Sequence, residues 1–575
     1  MKIIGINSRY NATMNEIYSG SCALIVDGEI IYALAEDRVS KKKDDGGFDY
    51  SLKAILNKEK LTIDDIDYFY ISFYGNALIP DKKMIKYHLK KLGLEKQPEK
   101  LIVVPSHHIS HAYASYFLSP FDEAIIMVAD NEGSLLFPDD EKKRNIEDCY
   151  CERNSYYWAR GNCITLIERD FQNPGDVGFG KAYNMFNEYI GFGNYLTVGK
   201  TMGLSSYGKN DKKLSKVDIW MMDKDGRLKS NIIETENLTA DVERFLTANN
   251  IDLPKIRKGN LYELPEYQKL ARYIQEQLNK WAIKKVNFLI KKVGIKNICI
   301  SGGVALNGIM NEKIENALNV PVFVPPYPSD PGQALGNAIY GYIHQTGNNN
   351  NSLIKKVQFR NYTYLGFNYS EKDIMMAIKK ISTTHSVKFE LLDNIEEKTA
   401  ELLSQDKVIG WFQGRSEYGA RALGDRSILG SPKGIMIRDK INILKGRELF
   451  RPLAPSVLSE KKLEYFYEGC PLIDKYMLSI SKVKKEKIKE IKGAVHIDKT
   501  SRIQEVKEKD NEKYYSLIKN FYRISGVPMV LNTSFNAAGK PIVESPYDAM
   551  LAFIQMDLDY LVCGNFLIEK QLKTK

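Results

Sequence analysis

The first 35 residues constrain the fold more tightly than any other stretch of similar length. KIIGIN is an apolar run, a polar loop Ser8–Gly20 follows it, and SCALIV and EIIYAL then flank Asp27-Gly28. Asp-Gly between two apolar runs is a strong hairpin signal, because the tight turn that joins twisted strands needs residues that tolerate a positive φ. The chain therefore opens as strand, loop, strand, turn, strand, with the loop after the first strand available to a phosphate. Further strands are expected at DYFYISF, at LIVV before Pro105 and at EAIIMVAD, which ends in Asp130. LARYIQEQLNKWAIKKVNFLIKKV repeats apolar residues at helical spacing and leads through NICIS into the loop Ser301–Asn307. Helix, strand, glycine loop and helix in that order suit a nucleotide site in an α/β fold.

At 575 residues the chain exceeds what one core organises. The run GNNNNS around Gly347–Ser352 reads as a linker and divides 1–352 from 353–575. Hydrophobic residues at 43% and charged residues at 27% exclude a disordered or fibrous chain. The start MKIIGINSRY lacks an apolar stretch of signal-peptide length and no membrane-spanning run follows, so a cytoplasmic location is expected. Seven cysteines, with only Cys149 and Cys151 close together, fit neither a disulfide framework nor a zinc-finger spacing, and read as reduced thiols. Much of the net charge of +10 lies in Lys41-Lys42-Lys43 and KVKKEKIKEIK, which read as solvated faces rather than a nucleic-acid surface. The same charge favours phosphate-bearing substrates.

Three of the seven histidines fall within five residues, at His107, His108 and His111. On a helix His107 and His111 share a face, the spacing that lets two imidazoles share one metal ion; a polar helix start with incidental histidines is the alternative. Carboxylates must complete such a site, and Asp130 at a strand end and Asp330 in Pro328–Gly332 are candidates, although either would serve equally as a cap or turn aspartate. Gly302, Gly303 and Asn307 let backbone amides approach a phosphate or ribose closely, and Lys200, among the glycines of Gly199–Leu204, is placed to meet the same ligand. Gly414–Ser427 holds Arg415, Arg421 and Arg426 among small residues, and Lys445, Arg447, Arg451, Arg502 and the Asn532–Asn536 stretch with Ser534 follow. Small neighbours leave room for guanidinium groups to grip phosphate. Exposed salt-bridging arginines are the bland alternative, and the pattern does not tell ATP from a sugar phosphate.

Taken together and in order, His107–Ala112, KTMGLSSYG, SGGVALN, Ser329–Gly332, GRSEYGARALGDRSIL, FRPLAPSVL and LNTSFNAAGKPIVESPYDA make the chain resemble the O-carbamoyltransferases of the nodulation and antibiotic-tailoring type over nearly its full length. The resemblance implies an actin-like domain of two ribonuclease-H-like lobes at 1–352, similar to the tRNA threonylcarbamoyl-transfer proteins, and a YrdC-like carbamoyl-adenylate-forming domain at 353–575. It implies that ATP, with Mg2+, and carbamoyl phosphate yield carbamoyl adenylate in the second domain. The carbamoyl group then passes in the first domain to a hydroxyl of a small molecule, a natural product or sugar, and a closed route would spare the adenylate from water. Residue by residue, His107, His111, Asp130 and Asp330 match the metal ligands, normally iron; Lys445, Arg451, Arg502 and Ser534 match positions that hold carbamoyl phosphate or the nucleotide.

One departure stands out. Relatives carry a His-Asp pair where this chain reads Tyr18-Ser19, so the base is another residue, such as His108, or the acceptor has changed, or transfer has been lost. The charged insertion at 139–155 is placed to reshape the acceptor pocket. A tRNA-directed factor and a non-catalytic nucleotide-binding regulator are the competing readings. No membrane partner is expected, nucleic acid is disfavoured, and a homodimer is left open.

Overall fold

A computed structural model describes residues 1–8, 19–73, 82–136, 149–172, 175–252, 259–347, 356–360 and 362–571. The chain packs as two compact units, Met1–Glu36 with Asp45–Arg360, and Asp37–Asp44 with Asn361–Lys575. The expected boundary at 352/353, Tyr18 and most of the polar loop before Ser19, and the 137–148 part of the insertion lie outside the described residues.

Two sheets of the first unit share one strand plan. In the first, Lys2–Ser8 lies between Ser21–Val26, antiparallel, and Tyr68–Phe73, parallel; Glu29–Ala35 and Leu101–Val103 take the outer places. In the second, Glu123–Ala129 lies between Tyr150–Arg160, antiparallel, and Ile298–Ser301, parallel; Cys163–Phe171 and Val322–Phe323 lie outside them, and Leu135–Leu136 also pairs with Tyr150–Arg160. The Asp27-Gly28 turn has positive φ at both positions, 49° and 88°, as the dipeptide predicts.

Central strands such as AIIMVA are wholly buried, which is why they read as continuous apolar runs rather than alternating ones. The helix Gln333–Gln345 packs on the first sheet and the helix His107–Leu118 on the second, and the two helices pack against each other. Their approach needs Gly336, where a Cβ would lie 2.0 Å from the Ser110 carbonyl oxygen. The long amphipathic run forms a 29-residue helix, Pro265–Val293, stopped by Gly294 at φ 81°.

The second unit is built on one mixed eight-stranded sheet. Its order is Val387–Leu391, Phe566–Lys570, Tyr560–Cys563, Ile409–Phe412, Arg426–Gly430, Met529–Ser534, Ala454–Leu458, Gln504–Val506. Helices Glu371–Ser382, Ile395–Ser404, Glu512–Ser525 and Pro546–Gln555 contribute to its apolar core, and capping boxes at Ser370/Asp373 and Ser545/Asp548 start two of them. Among the described residues no helix is long and apolar enough to cross a membrane.

Candidate metal centre and cationic cluster

The helix that carries the histidines is pinned at its first turn. Ser106 caps it, accepting from the His108 amide at 3.1 Å, while the buried Glu152 carboxylate accepts from Ser106 Oγ at 2.8 Å, the His108 amide at 3.2 Å and the Ser134 amide at 3.0 Å. A carboxylate at a helix N-terminus satisfies amides that have no partner within the helix and suits its dipole. His107 and His111 then stand side by side, ring centres 5.1 Å apart.

Asp130 follows the last residue of the strand Glu123–Ala129, and Asp330 opens a 3-10 turn, Asp330–Gly332. His107 Nε2 lies 3.6 Å from Asp130 Oδ2 and 3.2 Å from Asp330 Oδ1, and His111 Nε2 lies 3.5 Å from each. One donor atom from each of the four residues falls within 4.8 Å of every other. Ligands held tetrahedrally at about 2.1 Å from one ion stand roughly 3.4 Å apart, so two imidazoles and two carboxylates at these separations fit a metal ion. His111 Nε2 and Asp130 Oδ2 are buried without a hydrogen-bond partner, a costly arrangement that an ion would relieve. Burial and the Asp330 charge push Asp130 up, but the two facing imidazoles outweigh them and hold it below the usual carboxylate range.

The glycine loop supports this group. Gly302 has φ 86°, and a Cβ there would lie 2.2 Å from the Ala129 carbonyl oxygen; a Cβ on Gly303 would lie 3.0 Å from Asp130 Oδ1. Asn307 is committed inside the fold, capping the next helix through the Met310 amide at 3.0 Å and pairing with Gln275 at 2.8 Å. Lys200 sits in the helix Val198–Leu204 with its ammonium 5.6 Å from the Phe192 ring centre. His108 does not join the ligand pair: its Nδ1 is 2.7 Å from Ser155 Oγ, and burial lowers its pKa to about 4 against the pull of Glu152. Ser301, which lies 3.3 Å from His111 Nδ1, and Glu152 escaped the sequence reading.

The second unit gathers cations. Burial and then mutual repulsion pull Arg421 down to about 10 (Arg447, Arg451) and Arg447 down to about 9 (Arg451, Arg502). The same two causes lower Lys445, through Arg447 and Arg451, and Arg502, through Arg421 and Arg451; burial also lowers Arg451 itself. Glu448 supplies a counter-charge, its Oε2 3.8 Å from Arg451 Nη1. Lys445 donates to Ser534 O at 2.5 Å and to Asn536 Oδ1 at 2.8 Å, and Arg447 to Thr533 Oγ1 at 3.1 Å. The Nε atoms of Arg421 and Arg502 are buried without partners. Like charges crowded at low dielectric are unfavourable unless an anion joins them, and guanidinium forks match phosphate.

Arg421, Lys445, Arg451, Arg502 and Ser534 are thus brought together, with Arg447. Arg415 and Arg426, expected to grip the ligand, are instead bonded to backbone carbonyls. Arg415 donates to the carbonyls of Gly366 at 2.8 Å and Leu365 at 3.1 Å. Arg426 is fully buried, donates to the carbonyls of Gln413, Asp425, Phe367 and Gly414, and stacks 3.6 Å from the Phe412 ring centre. Asn532 is likewise a tie inside the sheet, donating to Gln504 Oε1 at 2.9 Å and the Ala422 carbonyl at 3.1 Å. Glu417, which the sequence reading passed over, folds the arginine loop by accepting from the amides of Leu423 at 2.7 Å, Asp425 at 2.8 Å and Arg426 at 3.2 Å.

Comparison with known proteins matches a separate family model within each of the two units. Residues 73–339 match the carbamoyltransferase N-terminus model and residues 400–570 the carbamoyltransferase C-terminus model. An uncharacterized protein of Methanocaldococcus jannaschii is 31% identical over 99% of both chains. Nodulation protein U of Rhizobium tropici is 30% identical over 96% of this chain and 95% of its own, and nodulation protein NolNO of Sinorhizobium fredii is 28% identical over 96% and 79%. Among solved structures, full-length HypF with phosphate and nucleotide is 12% identical over 59% of this chain and 46% of its own, at a TM-score of 0.36. The ADPNP-bound activator of 2-hydroxyisocaproyl-CoA dehydratase from Clostridium difficile is 15% identical over 60% and 97%, at 0.33. The chain belongs to the carbamoyltransferase family and is a carbamoyl-transferring enzyme.

Proposed function

We propose that the second unit, read as YrdC-like, makes carbamoyl adenylate from carbamoyl phosphate and ATP, and that the first unit passes the carbamoyl group to a hydroxyl of a small molecule. The observation that carries this reading is the cationic cluster, five buried or half-buried cations of which Arg421, Lys445, Arg447 and Arg502 are depressed by their cationic neighbours, with the Glu448 carboxylate beside Arg451. Two phosphorylated substrates supply the missing negative charge. A water releases phosphate from carbamoyl phosphate to leave carbamate, and a carbamate oxygen then attacks the α-phosphorus of ATP and expels pyrophosphate; Arg421, Arg447, Arg451 and Arg502 hold the negative charge in place through both steps, and Lys445 is fixed at the edge of the strand Met529–Ser534 to meet the reacting phosphate.

The matching strand plan of the two sheets supports reading the first unit as actin-like with two ribonuclease-H-like lobes. His107, His111, Asp130 and Asp330 are the residues that would hold a metal, iron by resemblance, and its chemistry there would be that of a Lewis acid and template. His108, kept neutral by burial and adjacent in sequence to a ligand, is the assigned base for the acceptor hydroxyl, with AMP as the leaving group.

The test is to incubate the chain with carbamoyl phosphate and ATP labelled in the α-phosphate, following carbamoyl adenylate and pyrophosphate. Their appearance in the absence of any acceptor supports the reading. A folded chain that makes neither ends it.

A further inference from the structure

The sheet of the second unit ends differently on its two sides. Its last strand, Gln504–Val506, is buried throughout, whereas Val387–Leu391 at the other end leaves every residue after Val387 exposed, Phe389 at 43% and Leu391 at 55%. Antiparallel pairing with Phe566–Lys570 fixes which way the backbone of this edge points. The Gln571 amide donates to the Ser386 carbonyl at 3.1 Å and the Leu392 amide to the Asn565 carbonyl at 3.0 Å, so the even-numbered residues face the neighbouring strand. The amides and carbonyls of Val387, Phe389 and Leu391 therefore point outward, where no strand of the described residues lies. An open edge with exposed apolar side chains is a template for another strand.

The sequence of this edge, Val-Lys-Phe-Glu-Leu, complements itself when two copies run antiparallel. About a two-fold axis at Phe389, Val387 faces Leu391 of the second copy, Phe389 faces its own equivalent, and Lys388 faces Glu390 in both directions. The outward-facing residues then fall in hydrogen-bonded pairs, so each outward amide and carbonyl finds a partner, and the charged residues fall in the closer non-hydrogen-bonded pairs. Lys388 already meets Glu569 at 3.0 Å, so the charged face runs Glu569, Lys388, then Glu390 of the second copy, alternating in sign. On the opposite face Phe389, edge-on to Phe566 with ring centres 6.3 Å apart, carries the apolar row across the junction. Moving the axis to Lys388 or to Glu390 sets like charges face to face, so the charges select one register.

We propose that Val387–Leu391 is a homodimerisation edge, to which a second copy of this chain adds the same strand antiparallel and joins the two sheets into one. The occupant is a second copy because the strand carries the complement of its own charges and of its own apolar positions. Pairing uses the outward side of both strands, so assembly closes at two copies. Five residues a side make an interface below the roughly 1,200 Å² of stable complexes, so the dimer is weak and depends on concentration.

The experiment is sedimentation velocity on the full chain from about 1 to about 200 µM, over which wild type should pass from one chain toward two. Phe389→Pro removes an outward amide and leaves the inward ladder intact, and is expected to weaken the dimer at least about 10-fold. Lys388→Glu and Glu390→Lys, each alone, set like charges opposite one another in both charged pairs and should weaken it about 10-fold. An equimolar mixture of those two chains restores opposite charges in every pair and should dimerise as wild type does. The mixture carries the test if Phe389→Pro does not fold. A wild type that stays single at every concentration, or grows past two copies, overturns the proposal. So does a dimer undiminished in Phe389→Pro, or a mixture no stronger than either charge variant alone.

Discussion

The two sites of this chain face opposite electrical problems. In the first unit two imidazole nitrogens and two carboxylates converge to within 3.2–3.6 Å, with His111 Nε2 and Asp130 Oδ2 buried and without hydrogen-bond partners, an arrangement a cation would satisfy. In the second, Lys445 and four arginines converge, and all but Arg451 are depressed by cationic neighbours, positive charge that a polyanion would satisfy. Their scaffolds differ accordingly. Regular elements deliver the metal group: a capped helix, a strand end and a glycine-backed loop. Loops deliver the cations, and Glu417 folds the longest of them. Each unit thus retains locally unfavourable electrostatics, and the comparison teaches that the ligand's sign can be read from which charges the fold leaves uncompensated.

The largest effects should come from deleting one group at each site. Arg451→Ala is expected to lower pyrophosphate formation about 100- to 1,000-fold, the range for removing one preorganised charge, while cobalt binding is unchanged. His111→Ala should reverse the pattern, abolishing metal binding and carbamoyl transfer but leaving adenylate formation intact. Parallel assays of pyrophosphate release and acceptor modification check both. If His111→Ala stopped pyrophosphate release, the two sites would not be chemically separate and the comparison would fail.

A smaller effect separates strained cations from structural ones. Arg426→Leu strips four carbonyls of their donor and should cost about 3–5 kcal/mol in urea unfolding of the ligand-free chain. Arg447→Leu removes a repelled charge that holds one side-chain hydrogen bond to Thr533, and should cost less than about 1 kcal/mol or stabilise. Equal losses would show that the cluster is not under electrostatic stress. Gly302→Ala belongs to the same class at the first site: strain at φ 86° and a Cβ 2.2 Å from the Ala129 carbonyl should cost about 1–3 kcal/mol and loosen cobalt binding by displacing Asp130.

What could be read from the sequence divides along the same line. The Asp27-Gly28 hairpin, the Pro265–Val293 helix and the shared face of His107 and His111 are local, set by turn chemistry and periodicity, and each appears where the pattern places it. Asp130 and Asp330 were candidates as polar residues at a strand end and a turn, but nothing in their spacing says that they meet; the family motifs supplied that. Within Gly414–Ser427 no periodicity tells which guanidinium faces the ligand, and the answer lies with partners elsewhere: Phe412 under Arg426, the Leu365 and Gly366 carbonyls on Arg415. Gln333, whose amide donates to Asp330 Oδ1 at 3.0 Å, was invisible for the same reason, since its other partner is Ser72, 261 residues away.

The smallest effect is a fraction of a proton. Burial and the repulsion of Arg447 and Arg451 hold Lys445 well below the ordinary lysine value of about 10.4. Between the folded and unfolded values the unfolded chain holds a proton that the folded chain lacks, so this group makes ligand-free stability rise with pH across that window. A polyanion in the cluster reverses both causes by returning a counter-charge, and draws the proton back onto Lys445. Pyrophosphate binding at a pH inside that window should therefore draw a proton onto Lys445, read as the part of the proton uptake that Lys445 accounts for in calorimetry in two buffers of different ionisation heat. Lys445→Met should bind pyrophosphate without that part of the uptake. Proton release on pyrophosphate binding, or uptake undiminished in Lys445→Met, would erase the electrical contrast between the two sites.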